Sequence, residues 1–229
     1  MKIAGLSTAT GVTVATLKYY LREGLLHAGA ATAVNQAEYD ESHVRRVRLI
    51  RALVELGRLS LADVGAVLAA VDDDSLPVHD AFGVAQDAMV PHRPHGSADR
   101  VGGGAGEGVA DLYELAFAEV DRFVRRHHLD VRPDAAVRSM LADAIVSLSR
   151  FGWAPSGKVV DASMFDGLVP PAMAEAEFSI DSVPDPADRA EQVEYTVVGT
   201  VVFEVANAAV RRMALEHHSR RRFARTRRR

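Results

Sequence analysis

The sequence contains no cysteine. That excludes a disulfide framework, a thiolate metal site and a thiol redox switch, and it fits a reducing compartment. Aromatic residues make up only 6% of the chain, so any core must be built mainly from Ala, Val and Leu. Lysine is nearly absent: only Lys2, Lys18 and Lys158 occur, and the remaining positive charge is arginine. The opening MKIAGLSTAT lacks the basic start and apolar run of about 7–15 residues that mark a secretory signal. No stretch approaches the ~18 consecutive apolar residues of a membrane span. The nearest, Val197 to Val210, is interrupted by Glu204 and Asn207 and reads as a buried core helix. The expected location is the cytoplasm, away from any membrane.

Catalytic signatures are missing as well. There is no Gly-x-Ser-x-Gly, no phosphate loop and no nucleophile with an evident base, so neither an enzyme nor a cofactor is expected. The glycine-rich 102–106 lacks the Lys-Ser/Thr of a phosphate loop. Histidine is plentiful, with pairs at His127-His128 and His217-His218 and a near pair at His92 and His95. Adjacent helical histidines point about 100° apart, and no Asp/Glu/His set has the i, i+4 spacing of a metal-binding helix motif, so no metal site is expected.

What is present is a chain of 229 residues, 48% hydrophobic and 25% charged, in the range of ordinary globular proteins. Its net charge of −4 hides an asymmetry: residues 1–71 carry +2, residues 72–219 carry −13 and residues 220–229 carry +7. Basic ends around an acidic body place polyanion contact at the ends.

Punctuation divides the first 71 residues into short helices. Ile3 to Thr10 is closed by Gly11, and Thr13 opens a second helix that ends at Gly24. Residues 25–39 have no helical period and leave room for a small hairpin. Asp40 opens a third helix on Val44, Val47, Ile50, Leu53 and Leu56. Ser60 and Asp63 match a capping box ahead of Val64, Val67, Leu68 and Val71. Residues 76–90 suit a helix, and 91–108 read as a linker. Further helices are expected over Val109 to His128, from Pro133 to Phe151, around 161–177 and over 186–218. The last is apolar over much of its circumference and so should be buried on several sides. A strand over Val197 to Val205 is the alternative. The tail 220–229 is expected to be disordered.

The order helix, glycine turn, helix describes a helix-turn-helix, whose second helix lies in the major groove. That helix is Thr13-Val14-Ala15-Thr16-Leu17-Lys18-Tyr19-Tyr20-Leu21-Arg22. Val14, Leu17 and Leu21 share one face, while Ala15, Thr16 and Tyr19 face away, flanked by Tyr20, Lys18 and Arg22. Lys18 and Arg22 can neutralise phosphates, tyrosine hydroxyls can donate to phosphate oxygens, and Thr16 can reach a base edge.

LKYYLREGLL resembles the basic-Tyr-Tyr-x-x-x-Gly-Leu-Leu core of the MerR family, and the likeness extends over about residues 1–71. The resemblance implies a winged helix-turn-helix acting as a homodimer on double-stranded promoter DNA, with RNA polymerase as a partner. It implies DNA contacts from Thr13, Thr16, Lys18, Tyr19, Tyr20 and Arg22, and a wing at 25–39. In the wing, Asn35-Gln36-Ala37-Glu38-Tyr39 departs from the family's Asn-Gly-Tyr-Arg, so that Glu38 replaces a phosphate-binding arginine. Asn35, Gln36 and Tyr39 are left to carry wing contact. Residues 72–108 show no sustained heptads, which assigns dimerisation to the helical C-terminal part. The wing together with VVGTVVFEVANAAVRRMALEHHSRRRF resembles an actinobacterial subgroup of the family.

The expected fold is therefore mainly α: a winged helix-turn-helix over 1–71, a connector over 72–108, an all-helical regulatory and dimerisation domain over 109–219, and the Arg-rich tail. Tyr113, Phe117, Trp153, Tyr195 and Phe203 are candidates for the lining of a small organic effector's pocket. The competing expectation is an architectural DNA binder that relies on the second helix and the tail.

Overall fold

The computed structural model describes residues 1–33, 36–90, 107–184 and 188–223. The fold is mainly α, as expected. The chain forms two compact units: Met1–Ala85 with Ser182–Arg229, and Gln86–Asp181.

In the first unit, α1 (Ile3–Thr10) stops at Gly11, whose φ of 69° is the left-handed conformation glycine adopts without strain. Helix α2 (Val14–Arg22) starts at Thr13, whose hydroxyl accepts the Thr16 N–H at 3.2 Å. Strands β1 (Ala30–Ala33) and β2 (Gln36–Glu38) pair antiparallel, Ala31 opposite Ala37, and form the wing. Helix α3 (Glu41–Arg51) is capped by Asp40 and runs on into a π-helical turn, Ala52–Leu56. Helix α4 (Leu61–Asp72) opens on the Ser60/Asp63 capping box read from the sequence. Leu6, Leu17, Leu26, Val47, Ile50, Leu53 and Val64 are all under 2% exposed and make the core. Truncating the most central of these on α2, Leu17→Ala, is expected to destabilise the unit by about 2–5 kcal/mol, read as a lower urea midpoint.

After α5 (Val78–Met89) the expected linker falls largely outside the described residues. The second unit holds α6 (Glu107–Arg126), α7 (Ala136–Leu148), a 3-10 segment at Ala162–Leu168 and α8 (Val169–Asp181) around Ala116, Val120, Phe123, Ile145 and Val146. Helix α7 begins at Ala136, not at Pro133. No neighbouring side chain caps it; the Asp87 carboxylate does so from 49 positions away, accepting the Ala136 N–H at 2.9 Å.

Helix α9 (Arg189–Phe223) settles the strand alternative against itself and corrects the expected burial. It does not join α6–α8 in one domain; it packs with the first unit, on α3, α4 and the π-helical turn. Arg189 anchors its start, donating to the Leu76 carbonyl at 3.0 Å and the Val71 carbonyl at 2.9 Å. Val193, Val197 and Val201 are buried, but Val202, Val205, Val210 and Met213 are exposed. By length and composition α9 is also the one described helix long and apolar enough to cross a membrane. The helix includes Arg220–Phe223, so the first residues of the tail are helical; 224–229 lie outside the described residues.

Candidate nucleic-acid interface

The turn between α1 and α2 is fixed by local bonds. The Gly11 N–H donates to the Ser7 carbonyl at 2.9 Å, and the Ser7 hydroxyl donates to the Val12 carbonyl at 2.6 Å. Leu17 then faces inward and holds the opposite face of α2 in solvent. On that outer face Ala15 and Lys18 are exposed, and Thr16 and Tyr19 are half-buried. Among the described residues no ion pair engages Lys18. Arg22 is less free: its Nε lies 3.1 Å from Glu23 Oε1, and its guanidinium sits over the Tyr19 ring at 5.1 Å. Thr13 is spent on the cap, its hydroxyl 2.9 Å from that of Thr16.

Tyr20 takes an inner position instead of the flank assigned from the helical wheel. It is 8% exposed, with Leu17, while Val14 and Leu21 are only half-buried. Burial, with Glu55 second, pushes its hydroxyl above the ordinary tyrosine range, so it stays a neutral donor. Tyr39 is also buried at 7% and serves as a strut of the wing. Its N–H donates to the Met1 carbonyl at 2.7 Å, and the Met1 ammonium donates back to its carbonyl at 2.6 Å.

The residue the sequence reading missed at the wing is Lys2. Its ammonium donates to Thr32 Oγ1 at 3.0 Å and to Gln36 Oε1 at 3.4 Å, and it pairs with Glu38 at 3.6 Å. A cation from the N-terminus thus stands beside the acid that replaced the wing arginine. Only strand register brings residues 2 and 38 together, so no local pattern points to it. Gln36 is exposed, and Asn35 lies outside the described residues.

The arginines of α3 are tied into structure more than a solvated face would require. Arg46 is 5% exposed in its side chain; it donates to the Leu25 carbonyl at 3.1 Å and pairs with Asp72. Arg51 donates to the Thr10 carbonyl at 3.1 Å and forks onto Glu55. Arg45 reaches α9, with Nε 3.5 Å from Glu194 Oε2. Beside that pair a cavity of about 340 Å³ opens, lined by Arg45, Arg48, Glu191, Glu194 and Tyr195 among others. Of the five aromatic candidates, Tyr195 lines this cavity. Tyr113, Phe117 and Trp153 belong to the other unit, where the Tyr113 hydroxyl donates to Asp143 at 2.8 Å and Trp153 is 67% exposed. Phe203 lies farther along α9.

Burial pushes the Glu194 carboxyl up, against the opposing pull of Arg45. A group whose folded pKa is raised contributes stability that is fully present below its unfolded pKa of about 4.5 and is lost as pH rises through the folded value. Glu194→Gln keeps the protonated form's shape without its charge. The variant is expected to be more stable than the parent at neutral pH, with the difference vanishing below about pH 4.5. Urea unfolding across pH reads this directly.

Three comparisons bear on this geometry. Residues 1–71 match the family described as MerR HTH family regulatory protein. Nodulation protein NolA of Bradyrhizobium elkanii is 50% identical over 56 residues, 24% of this chain and 26% of that protein. The HTH-type transcriptional activator SoxR homolog of Chromobacterium violaceum is 33% identical over 89 residues, 39% of this chain and 59% of that protein. The chain therefore spans less than two thirds of the length of these relatives. The crystal structure of SCO5550 from Streptomyces coelicolor A3(2), assigned as a transcriptional regulator, superposes with a TM-score of 0.70 at 32% identity, over 97% of this chain and 98% of that one.

Proposed function

This chain belongs to the MerR family, with the family's DNA-binding helix-turn-helix at residues 1–71, and from that premise we propose that it binds one operator as a homodimer under the control of a small organic effector. The protein is a transcriptional regulator of the MerR type. The observation that carries the finer reading is the outer face of α2, where exposed Lys18 stands between half-buried Thr16 and Tyr19 with Arg22 one turn on. Small, polar and cationic side chains at that spacing suit a helix laid in the major groove. Exposed Thr13 caps α2, Tyr20 and Tyr39 support the surface from beneath, and Gln36 presents the wing.

Dimerisation is assigned to the distal half of α9. An apolar stripe of Val202, Val205, Ala209 and Met213 recurs every three to four residues on a helix that has already left its own core. A second copy packed antiparallel or parallel on this stripe buries it. The effector belongs in the cavity beside Arg45 and Glu194, because a ligand there touches both the DNA-binding helices and the helix that joins the subunits. Without cysteine, a thiolate-sensed metal is not the signal. Promoter action, with RNA polymerase as partner, sets the cytoplasm as its place.

Footprinting across the promoter of the protein's own operon tests this. A protected, partly palindromic site at physiological salt is expected. A folded dimer that protects no site there, and that unrelated DNA competes away equally, would sink sequence-specific regulation and leave an architectural binder.

A further inference from the structure

The two feet of the wing carry a cluster that no part of the DNA-binding argument uses. His27 lies just before β1; Asp40 and His43 lie just after β2. One candidate donor atom from each of the three lies within 4.8 Å of the others. The His27 and His43 rings approach to 4.0 Å between centroids, and Tyr39 closes the far side of His43 edge-on at 5.1 Å.

His43 is the informative member. Its side chain is 5% exposed, and its Nε2 is buried without a hydrogen-bond partner. Its Nδ1 lies 2.7 Å from Asp40 Oδ1. The Asp40 N–H also points at Nδ1, at 3.1 Å, so Nδ1 is the nitrogen that faces the cluster and can serve as its ligand atom. A cation held at Nδ1 takes the place of a proton there and leaves the ring hydrogen on Nε2. Asp40 can both cap α3 and ligate: the bonds from Ser42 and His43 all fall on Oδ1. His27 is exposed and free to turn, its Nε2 only 3.2 Å from the Ser42 hydroxyl.

We propose that His27, Asp40 and His43 form a binding site for a borderline divalent cation such as zinc, which would clamp the two feet of the wing. Two imidazoles and a carboxylate with one position left for water suit a tetrahedral ion. Bonds of about 2.0–2.2 Å require ligand atoms about 3.4 Å apart, so the exposed His27 and Asp40 side chains close inward on the fixed His43. The charge of Arg46, which lies one turn along α3 from His43, is already met by Asp72. The ion belongs to the architecture of the wing, not to the regulatory signal, and the proposal stands whether or not an operator is found.

The test titrates EDTA-treated full-length protein with zinc chloride by calorimetry at neutral pH. One event per chain is expected, weakened about 100-fold or more in His27→Ala, and retained when His217 and His218 are both replaced by alanine. His27 is exposed, so its removal leaves the fold intact, as circular dichroism will verify. Asp40→Asn, which still caps a helix, is expected to weaken the same event. In a second measurement cobalt(II) should broaden the amide resonances of Ala30–Thr32. Superimposable isotherms for the parent and His27→Ala, or broadening centred away from the wing, would overturn the proposal.

Discussion

Lys18→Glu is expected to lower operator affinity by about a thousandfold while leaving the fold and the subunit association unchanged. The argument begins with position. Leu17 locks α2 into the core, so residue 18 must point outward, and among the described residues no carboxylate engages its ammonium. Arg22, by contrast, already leans on Glu23 and Tyr19 and gives up part of its charge to them. A cation docked on the backbone releases one condensed counterion, and replacing it with an anion both removes that gain and adds repulsion. About 2 kcal/mol per half-site is a moderate estimate for the two effects together. A dimer carries the change twice, so about 4 kcal/mol is lost, close to three decades of affinity. The milder Lys18→Ala should lower the slope of log affinity against log salt by about two for the dimer, one unit per subunit. Fluorescence anisotropy over a salt series measures both. Unchanged affinity in Lys18→Glu would mean that α2 does not face the groove.

Much of this surface was legible in the sequence because its determinants are local. Gly11, Thr13, Asp40 and Ser60 each act within three or four residues, and the helices begin and end where those residues say. The orientation of α2 was read nearly right from periodicity. It failed at Tyr20, because a wheel ranks residues by angle and takes no account of a long ring reaching inward from the flank. What stayed hidden depends on distant partners. The start of α7 is capped by Asp87, Glu38 is answered by Lys2, and His27 meets His43 only because the wing folds back. Searching for metal ligands by helical spacing finds none of these three as a set. The structural use of Arg46 and Arg51 was hidden for the same reason: the Leu25 and Thr10 carbonyls that they satisfy lie 21 and 41 positions away.

The apolar character of α9 was read correctly, but the burial expected to follow was not found, and the difference yields the second large effect. An apolar helix must be covered, but the covering surface need not belong to the same chain. Here Val193, Val197 and Val201 are covered by α3, α4 and the π-helical turn, while Val205 is 46% exposed and Met213 68% exposed. From Val202 to Phe223 the helix extends about 33 Å at 1.5 Å per residue, long enough for several turns of contact with a second copy. Glu216 and Arg220 pair with each other on the same helix, beyond the last residue of the stripe. Val205→Asp with Met213→Asp is therefore expected to convert the proposed dimer to a monomer. Each side chain forfeits about 1.5–3 kcal/mol of burial, and two-fold symmetry counts every change twice. The loss is at least about 6 kcal/mol before any charge is desolvated, more than four decades in dimer affinity. Because these residues are exposed in the single chain, the variant's helix content and urea midpoint should match those of a dilute parent protein. Sedimentation velocity gives the mass, and operator binding should fall with it, since a monomer reads one half-site. A variant that still sediments as a dimer would show that the subunits join elsewhere and that this stripe meets a different partner.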